Sequence, residues 1–188
     1  RPIRTFADYI AIQLNDTHPT VSIPELMRLL MLEGLSFDES FDIACKTFSY
    51  TNHTVMQEAL EKWDVNLFRD LLPDIFDIIY RINTKLCGET MARGLTCDPY
   101  AIVQNNVIRM ANLAVYCSHC VNGVAAIHTQ ILKDDVLHAW YLIYPERFQN
   151  KTNGITQRRW LGLCNPELSK FITERLGTEN WITHLDLL

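Results

Sequence analysis

Apolar and polar positions alternate along the chain in short blocks that change period several times. Ile10 to Leu14 is a brief apolar run that ends in Asn15-Asp16-Thr17-His18-Pro19, which predicts a buried strand feeding a polar loop. Ser22-Ile23-Pro24-Glu25 has the spacing of a capping box, and Leu26, Leu29 and Leu30 follow as a helical stripe. Ser36-Phe37-Asp38-Glu39 repeats the box ahead of Phe37, Phe41, Ala44, Cys45 and Phe48. Tyr50 to Thr54 suits a short strand or a site loop. Glu58 to Trp63 reads as a helical turn or two, and Asn66 as the cap of a helix through Leu72. Pro73 opens a dense apolar helix through Ile82. Residues 83–100, with Gly88, Gly94 and Pro99, read as a helix fragment and a connecting loop. A strand is expected within 102–115, and a helical stripe from Val121 to Leu132. Trp140, Tyr141, Tyr144 and Phe148 form an aromatic core run. Asn165-Pro166 starts a last helix with Leu168, Phe171, Ile172 and Leu176 inward and Gly177 past its end. Strand, polar loop and capped helix in succession make an α/β, helix-rich class, in which ligands favour loops at the carboxyl ends of strands.

Composition narrows the function classes. The 188 residues are 48% hydrophobic and 21% charged, which excludes disordered and collagen-like chains. Lys and Arg total 17 against 22 Asp and Glu, a net charge of -5, so a dedicated nucleic-acid partner is not expected. No apolar run nears the ~18 residues of a membrane helix, so no membrane partner is expected; the cytoplasmic location is read instead from the cysteines. The chain starts at Arg1, which reads as a processing site or a cut within a longer protein. Six cysteines are expected to stay reduced, because a chain this apolar needs no covalent staples. Cys117-Ser118-His119-Cys120 could present two thiols on one helix face to zinc or to a redox partner. A metal would need further ligands, and a pair of small buried residues is the blander alternative.

Four polar loops interrupt the apolar pattern: Asn15 to His18, Asn52 to Thr54, Ser118 and His119 with Asn122, and Asn150 to Asn153. Their short directional side chains are the kind that read sugar hydroxyls, although turns and caps use the same residues. Asp16 and His18 could pair as carboxylate and imidazole. Glu58 and Glu61, three apart on an expected helix, could supply paired carboxylates or a solvated face. Neither a Gly-rich phosphate cradle nor a Gly-x-Ser-x-Gly elbow occurs.

Several longer words are more specific. Ala11 to Pro19 with Ile23 to Arg28, Tyr50 to Val55 with Glu58 to Glu61, Ser118-His119 with Val121 to Ala125, and Phe148 to Thr156 with Arg158-Arg159-Trp160 closely resemble the glycogen and maltodextrin (α-glucan) phosphorylase family, in that family's order. The resemblance implies part of a glycosyltransferase B-type fold. Residues 1–156 would be the latter part of the N-terminal Rossmann-like domain, and 157–188 the crossover and start of the second. It implies phosphorolysis of α-1,4-glucan ends by inorganic phosphate to glucose 1-phosphate, assisted by pyridoxal phosphate in a full-length, homodimeric protein. His53 and Asn153 would bind the glucosyl hydroxymethyl group. Asp16 and His18 would line the glucan channel as supporting residues, Glu61 and Glu58 would buttress it, and Trp160 would wall the cofactor pocket. No catalytic group proper falls in this segment, and the cofactor lysine is expected beyond it, so the chain alone is expected to be inactive. Met56-Gln57 stand where Leu-Pro is usual, Gln157 replaces a common Pro, and Cys117 and Cys120 replace small residues. A non-catalytic glucan-binding relative and a Cys117/Cys120 zinc or redox module are the alternative readings.

Overall fold

A computed structural model describes residues 3–188. The chain divides into two compact units, Arg1–Thr152 and Asn153–Leu188. The first is built on a parallel four-stranded sheet of β1 (Ile12–Asn15), β2 (Phe48–Thr51), β6 (Cys120–Gly123) and β7 (Phe148–Asn150), in the order β1-β2-β6-β7. The register sets Asn15 beside Thr51, Thr51 beside Asn122, and Gly123 beside Asn150. Crossovers run through α1 (Ser22–Leu32) and α2 (Phe37–Thr47) between β1 and β2. Between β6 and β7 they run through α6 (Ala126–Ile131), a π-helical turn, and α7 (His138–Ile143). A second, antiparallel sheet of β3 (Lys62–Asp64), β4 (Val103–Gln104) and β5 (Val107–Arg109) stands in the order β3-β5-β4. Asn105 and Asn106 join β4 to β5 with φ of 51° and 61°, the left-handed backbone a two-residue hairpin turn demands. The α3 (Val65–Leu71), α4 (Pro73–Ala92) and α5 (Met110–Tyr116) helices complete this unit.

Apolar faces meet in one large core that includes Leu14, Phe48, Tyr50, Ile79, Ile82, Leu113, Val121 and Trp140. The Trp140 indole donates to Asn112 Oδ1 at 3.1 Å, and the Asn112 amide donates to the Ala101 carbonyl at 2.9 Å, so this buried polar pair is satisfied. Arg147 ends α5 by donating to the Tyr116 and Ser118 carbonyls at 3.0 and 3.2 Å, while its guanidinium lies 3.9 Å from the Tyr144 ring centroid.

The box at Ser36 forms in full: Ser36 Oγ accepts from Glu39 N, and Glu39 accepts from Ser36 N. The box expected at Ser22 does not form. The turn through Thr17–Val21 is already wound, with Ser22 N bonded to the Pro19 carbonyl, so Ser22 lies inside the first helical turn and its hydroxyl donates back to Pro19. The apolar stripe of α1 turns accordingly. Ile23, Met27 and Leu30 are buried and Leu29 is exposed. β1 starts at Ile12 and buries only Leu14, because it has a strand partner on one side only. Asp64, not Asn66, caps α3, accepting from Asn66 N and Leu67 N. The expected turns at 58–63 are one 3-10 turn, Gln57–Ala59, followed by β3. Gly88 sits within α4, which runs to Ala92 and is followed by Gly94 at φ +75°.

Two cysteine expectations are corrected. Cys87 and Cys97 are disulfide-bonded, with Cα atoms 5.1 Å apart, because the reversal at Gly94 carries the chain back along α4. Cys117 and Cys120 do not share a helix: Cys117 ends α5 and Cys120 opens β6. Burial, with the Cys45 thiol beside it, holds the Cys117 thiol protonated, and Cys45, Cys117, Cys120 and Cys164 are free. Among the described residues no group of three or more His, Cys, Asp or Glu is placed to hold a metal. The stripe expected at Val121–Leu132 opens as strand β6 and becomes helical only from Ala126. Among the described residues no helix is long and apolar enough to cross a membrane.

The second unit contains a π-helical turn, Arg158–Leu163, and α8 (Pro166–Leu176), capped by Asn165 and followed by Gly177 at φ +68°. Leu168, Phe171 and Leu176, expected inward, are exposed. Trp181 is buried, and its indole donates to Thr173 Oγ1 at 3.0 Å.

Candidate functional site

The strands of the first sheet run parallel, so their carboxyl ends lie along one edge. Three of the four polar loops leave from that edge: Asn15 to His18 after β1, Asn52 to Thr54 after β2, and Lys151 with Thr152 after β7. Asn122 is the penultimate residue of β6 on the same side. Ser118 and His119 are not there. They precede β6, and His119 N donates to the carbonyl of Phe48 at the start of β2, so they belong to the amino edge. Sequence proximity to Asn122 had grouped them, but a strand's length separates the two ends.

A hydrogen-bonded row crosses the carboxyl edge. Gln13 Nε2 donates to Thr51 Oγ1 at 2.6 Å, Thr51 Oγ1 donates to Asn122 Oδ1 at 2.7 Å, and Asn122 Nδ2 donates to the Gly123 carbonyl at 2.9 Å. Further along, Thr129 Oγ1 lies 2.9 Å from both the Ala125 carbonyl and Asn150 Oδ1, and Asn150 Nδ2 donates to Thr152 Oγ1 at 3.1 Å. Gly123 is required here. A Cβ on it would come within 2.5 Å of Thr129 Oγ1 and 2.8 Å of Thr129 Cα.

His53 tops β2. Its Nε2 lies 2.6 Å from Asn15 Oδ1, an acceptor, so Nε2 carries a proton and the Nδ1 of the neutral ring is left to accept. Asn52, fully buried, sets the turn below it by accepting from Thr54 N at 2.8 Å and donating to the Tyr50 hydroxyl at 2.9 Å. Burial, seconded by the charges of Asp16 and Glu61, keeps the Tyr50 phenol protonated. Asp16 takes a left-handed turn at φ 64°, its amide bonded to the Thr51 carbonyl and its Oδ1 accepting from Thr17 N at 2.7 Å.

Glu61 ties this edge to the second sheet. Its carboxylate accepts from Thr17 Oγ1 at 2.6 Å and from the Trp63 indole at 2.7 Å. His18 Nδ1 lies 3.7 Å away, an ion-pair separation rather than a hydrogen bond, and the His18 side chain is largely exposed. An apolar cleft of about 260 Å³ adjoins this pair, with Val21, Leu67, Phe68 and Met110 in its walls. Glu58 lies on the 3-10 turn, exposed, so the two carboxylates do not share a helix face. Asn153 and Trp160 belong to the second unit. There Trp160, Ile155, Thr156 and Leu161 border a cleft of about 420 Å³, and Gln157 donates to the Ile182 carbonyl at 2.8 Å.

Sequence reading assigns Thr17, Thr51, Trp63 and Thr129 no role of their own, although Thr17 and Thr51 fall in stretches it singles out. Each is the partner of a distant residue, and nothing local marks that pairing; the alternation of Thr51 with buried Tyr50 signals only a strand.

Over residues 1–188 the chain matches the carbohydrate phosphorylase family. It is 50% identical to the α-glucan phosphorylase H isozyme of Vicia faba and to the cytosolic α-glucan phosphorylase 2 of Arabidopsis thaliana. In both, 97% of this chain aligns with 23% of the relative. It is 48% identical to the muscle-form glycogen phosphorylase of Mus musculus, with 100% of this chain aligned to 24% of that protein. The chain thus spans about a quarter of the length of these curated relatives.

Proposed function

The chain belongs to the carbohydrate phosphorylase family, and on that premise we propose that it is the segment of an α-1,4-glucan phosphorylase that forms the glucosyl-binding side of the active site. The reaction is phosphorolysis of a glucan end by inorganic phosphate to glucose 1-phosphate. The observation that carries the reading is the convergence of the Asn15, His53, Asn122 and Asn150 segments on one sheet edge, cross-braced by neutral hydrogen bonds. Such an edge suits an uncharged polyol. Its donors and acceptors are preorganised, so ordering them costs little when the sugar arrives.

His53 binds the hydroxymethyl group of the glucosyl residue, its Nδ1 accepting from the hydroxyl; Asn153, in the second unit, is proposed separately as a sugar-binding residue. Asp16 and His18 line the glucan channel. Glu61 supports them by fixing Thr17, and Glu58 flanks the channel at its exposed side. Trp160, with an exposed indole beside Ile155, offers the flat apolar wall that a pyridine ring takes, so it would stand against pyridoxal phosphate. When bound, that cofactor supplies a phosphate group able to pass a proton to the reacting phosphate. Residues 1–156 are then the latter part of an N-terminal Rossmann-like domain and 157–188 the crossover into the second. The full-length protein is a cytoplasmic homodimer.

In the full-length protein that carries this segment, His53→Ala is expected to lower kcat/KM for glucose 1-phosphate release by about tenfold or more, the worth of one preorganised hydrogen bond. An unchanged kcat/KM would remove His53 from the site. The 188-residue chain by itself is expected to release no glucose 1-phosphate from glucan and phosphate.

A further inference from the structure

Helix α6 opens without the usual side-chain cap. The residue before it is Ala125, which has no side-chain oxygen to offer. His128, in the first turn, reaches back instead. Val124 N donates to its Nδ1 at 3.0 Å, much as the third residue of a capping box holds the backbone ahead of a helix. Thr129 grips the other side. Its hydroxyl meets the Ala125 carbonyl and Asn150 Oδ1, and its backbone sits so close to Gly123 that a Cβ there would come within 2.8 Å of Thr129 Cα. Two consecutive residues of α6 thus clamp the ends of β6 and β7, on the edge that carries Asn122 and Asn150.

The His128 half of this clamp depends on protonation. An imidazole nitrogen that accepts a hydrogen bond cannot also carry a proton, so the neutral ring keeps its proton on Nε2 and the cation loses the Val124 bond. The side chain is only 7% exposed, and burial lowers its pKa; the Thr54 backbone opposes this and the His53 imidazole adds to it. Other charged or titratable groups on the neighbouring elements are engaged elsewhere. Asp134 accepts from Gln130, Asp135 from Gln57, Lys133 lies over the Tyr141 ring, and His138 meets the Lys133 carbonyl. β7 carries none, and Cys120 stands at the opposite end of β6. His128 is therefore neutral at pH 7.

We propose that His128 is a positioning residue for the glucosyl edge, its neutral imidazole locking the β6–α6 turn through Val124 N so that Asn122 and Asn150 stay in place for the sugar. The inference rests on the phosphorylase reading above. Protonation frees the turn. The Val124 N–H loses its acceptor, and the first turn of α6, with Thr129 in it, is free to move away from Asn150. A preorganised edge then becomes one that must be ordered on binding, so the sugar binds more weakly at acid pH.

Two variants separate the bond from the ring. In His128→Asn the amide oxygen takes the place of Nδ1, still accepts from Val124 N and does not titrate. In His128→Gln no acceptor remains at that position. In the full-length protein at pH 7, His128→Asn is expected to keep KM for glucose 1-phosphate in the synthesis direction within about twofold. His128→Gln is expected to raise it about tenfold, with kcat within about twofold in both. As pH is lowered from 7 to 5, KM of the unsubstituted protein should climb relative to that of His128→Asn. A ratio that stays flat, or equal KM values in the two variants, overturns the proposal; a merely structural role would weaken the fold of both without that pH-dependent difference. If His128→Asn does not fold, NMR of the unsubstituted protein with isotope-labelled histidine and asparagine decides it. His128 should show the Nε2–H tautomer at pH 7, and the Asn150 side-chain amide should shift along with its titration. An Nδ1–H tautomer, or an Asn150 signal indifferent to that titration, sinks the idea. If the unsubstituted protein shows no phosphorolysis, the parent reading falls, and the same spectra then decide whether His128 locks the turn.

Discussion

At the scale of single residues, the clearest lever is the Ser36–Glu39 box. The Ser36 backbone N–H, then the Arg4 guanidinium and the Ser36 hydroxyl, hold the Glu39 carboxyl down to about 2. A lowered carboxyl stabilises the fold above its unfolded value of 4.5 and loses that contribution as pH falls toward 2. Ser36→Ala should lower stability to urea by about 1 kcal/mol and flatten this acid limb. His128 also acts on the acid side, at a higher pH. Its pKa lies below the ordinary 6.5, so its contribution is complete above that value and declines as pH falls below it. A midpoint that rises between pH 7 and 5 would contradict this. Gly123→Ala places a Cβ against the Thr129 backbone, not a flexible tip, and should cost about 1–3 kcal/mol with loss of the Thr129–Asn150 bond. The box and the asparagine loops were visible in the residues themselves. The partners of Glu61, namely Thr17 and Trp63, were not, because spacing carries no information about a contact between separate elements.

Elements show where pattern reading succeeds. Helices α2, α4 and α8 were legible because each runs long enough for its period to repeat and carries a cap or a proline at its start. β6 was not. A four-residue strand, Cys120-Val121-Asn122-Gly123, is too short to show a period, and α6 begins after only two further residues, so the helical stripe absorbs it. Of the β3–β5–β4 sheet, a strand within 102–115 was expected and β4 and β5 lie there, whereas β3 was hidden for the same reason. The Cys87–Cys97 bridge is also an element-scale feature: it ties the last turns of α4 to the segment leading into β4. A loop of this size limits the unfolded chain by about 3 kcal/mol in the chain-entropy account. Cys87→Ser under oxidising conditions, or reductant added to the unsubstituted protein, should lower the thermal midpoint. In the variant reductant should have no further effect, and an unchanged midpoint in both would show the bridge absent.

Over the whole molecule the two units differ in how much core they own. The first buries a continuous set from Leu14 to Phe48, Ile82 and Trp140, whereas the second buries Trp181 and leaves Leu168, Phe171 and Leu176 exposed. Limited proteolysis of the 188-residue chain should therefore cut within Asn153–Leu188 first, and a first cut inside α4 would contradict this. The amino-acid sequence by itself determined the family, the starts of α2, α4 and α8, and which short stretches carry side chains able to read hydroxyls, since all of these are local or lie in runs of matched residues. The tertiary structure decided which stretches meet. Parallel pairing puts every carboxyl end of the sheet on one edge, bringing Asn15, His53, Asn122 and Asn150 together and leaving Ser118 and His119 on the other. Register is a relation between strands far apart in the chain, and it is set by burial of the residues between the loops rather than by the loops themselves.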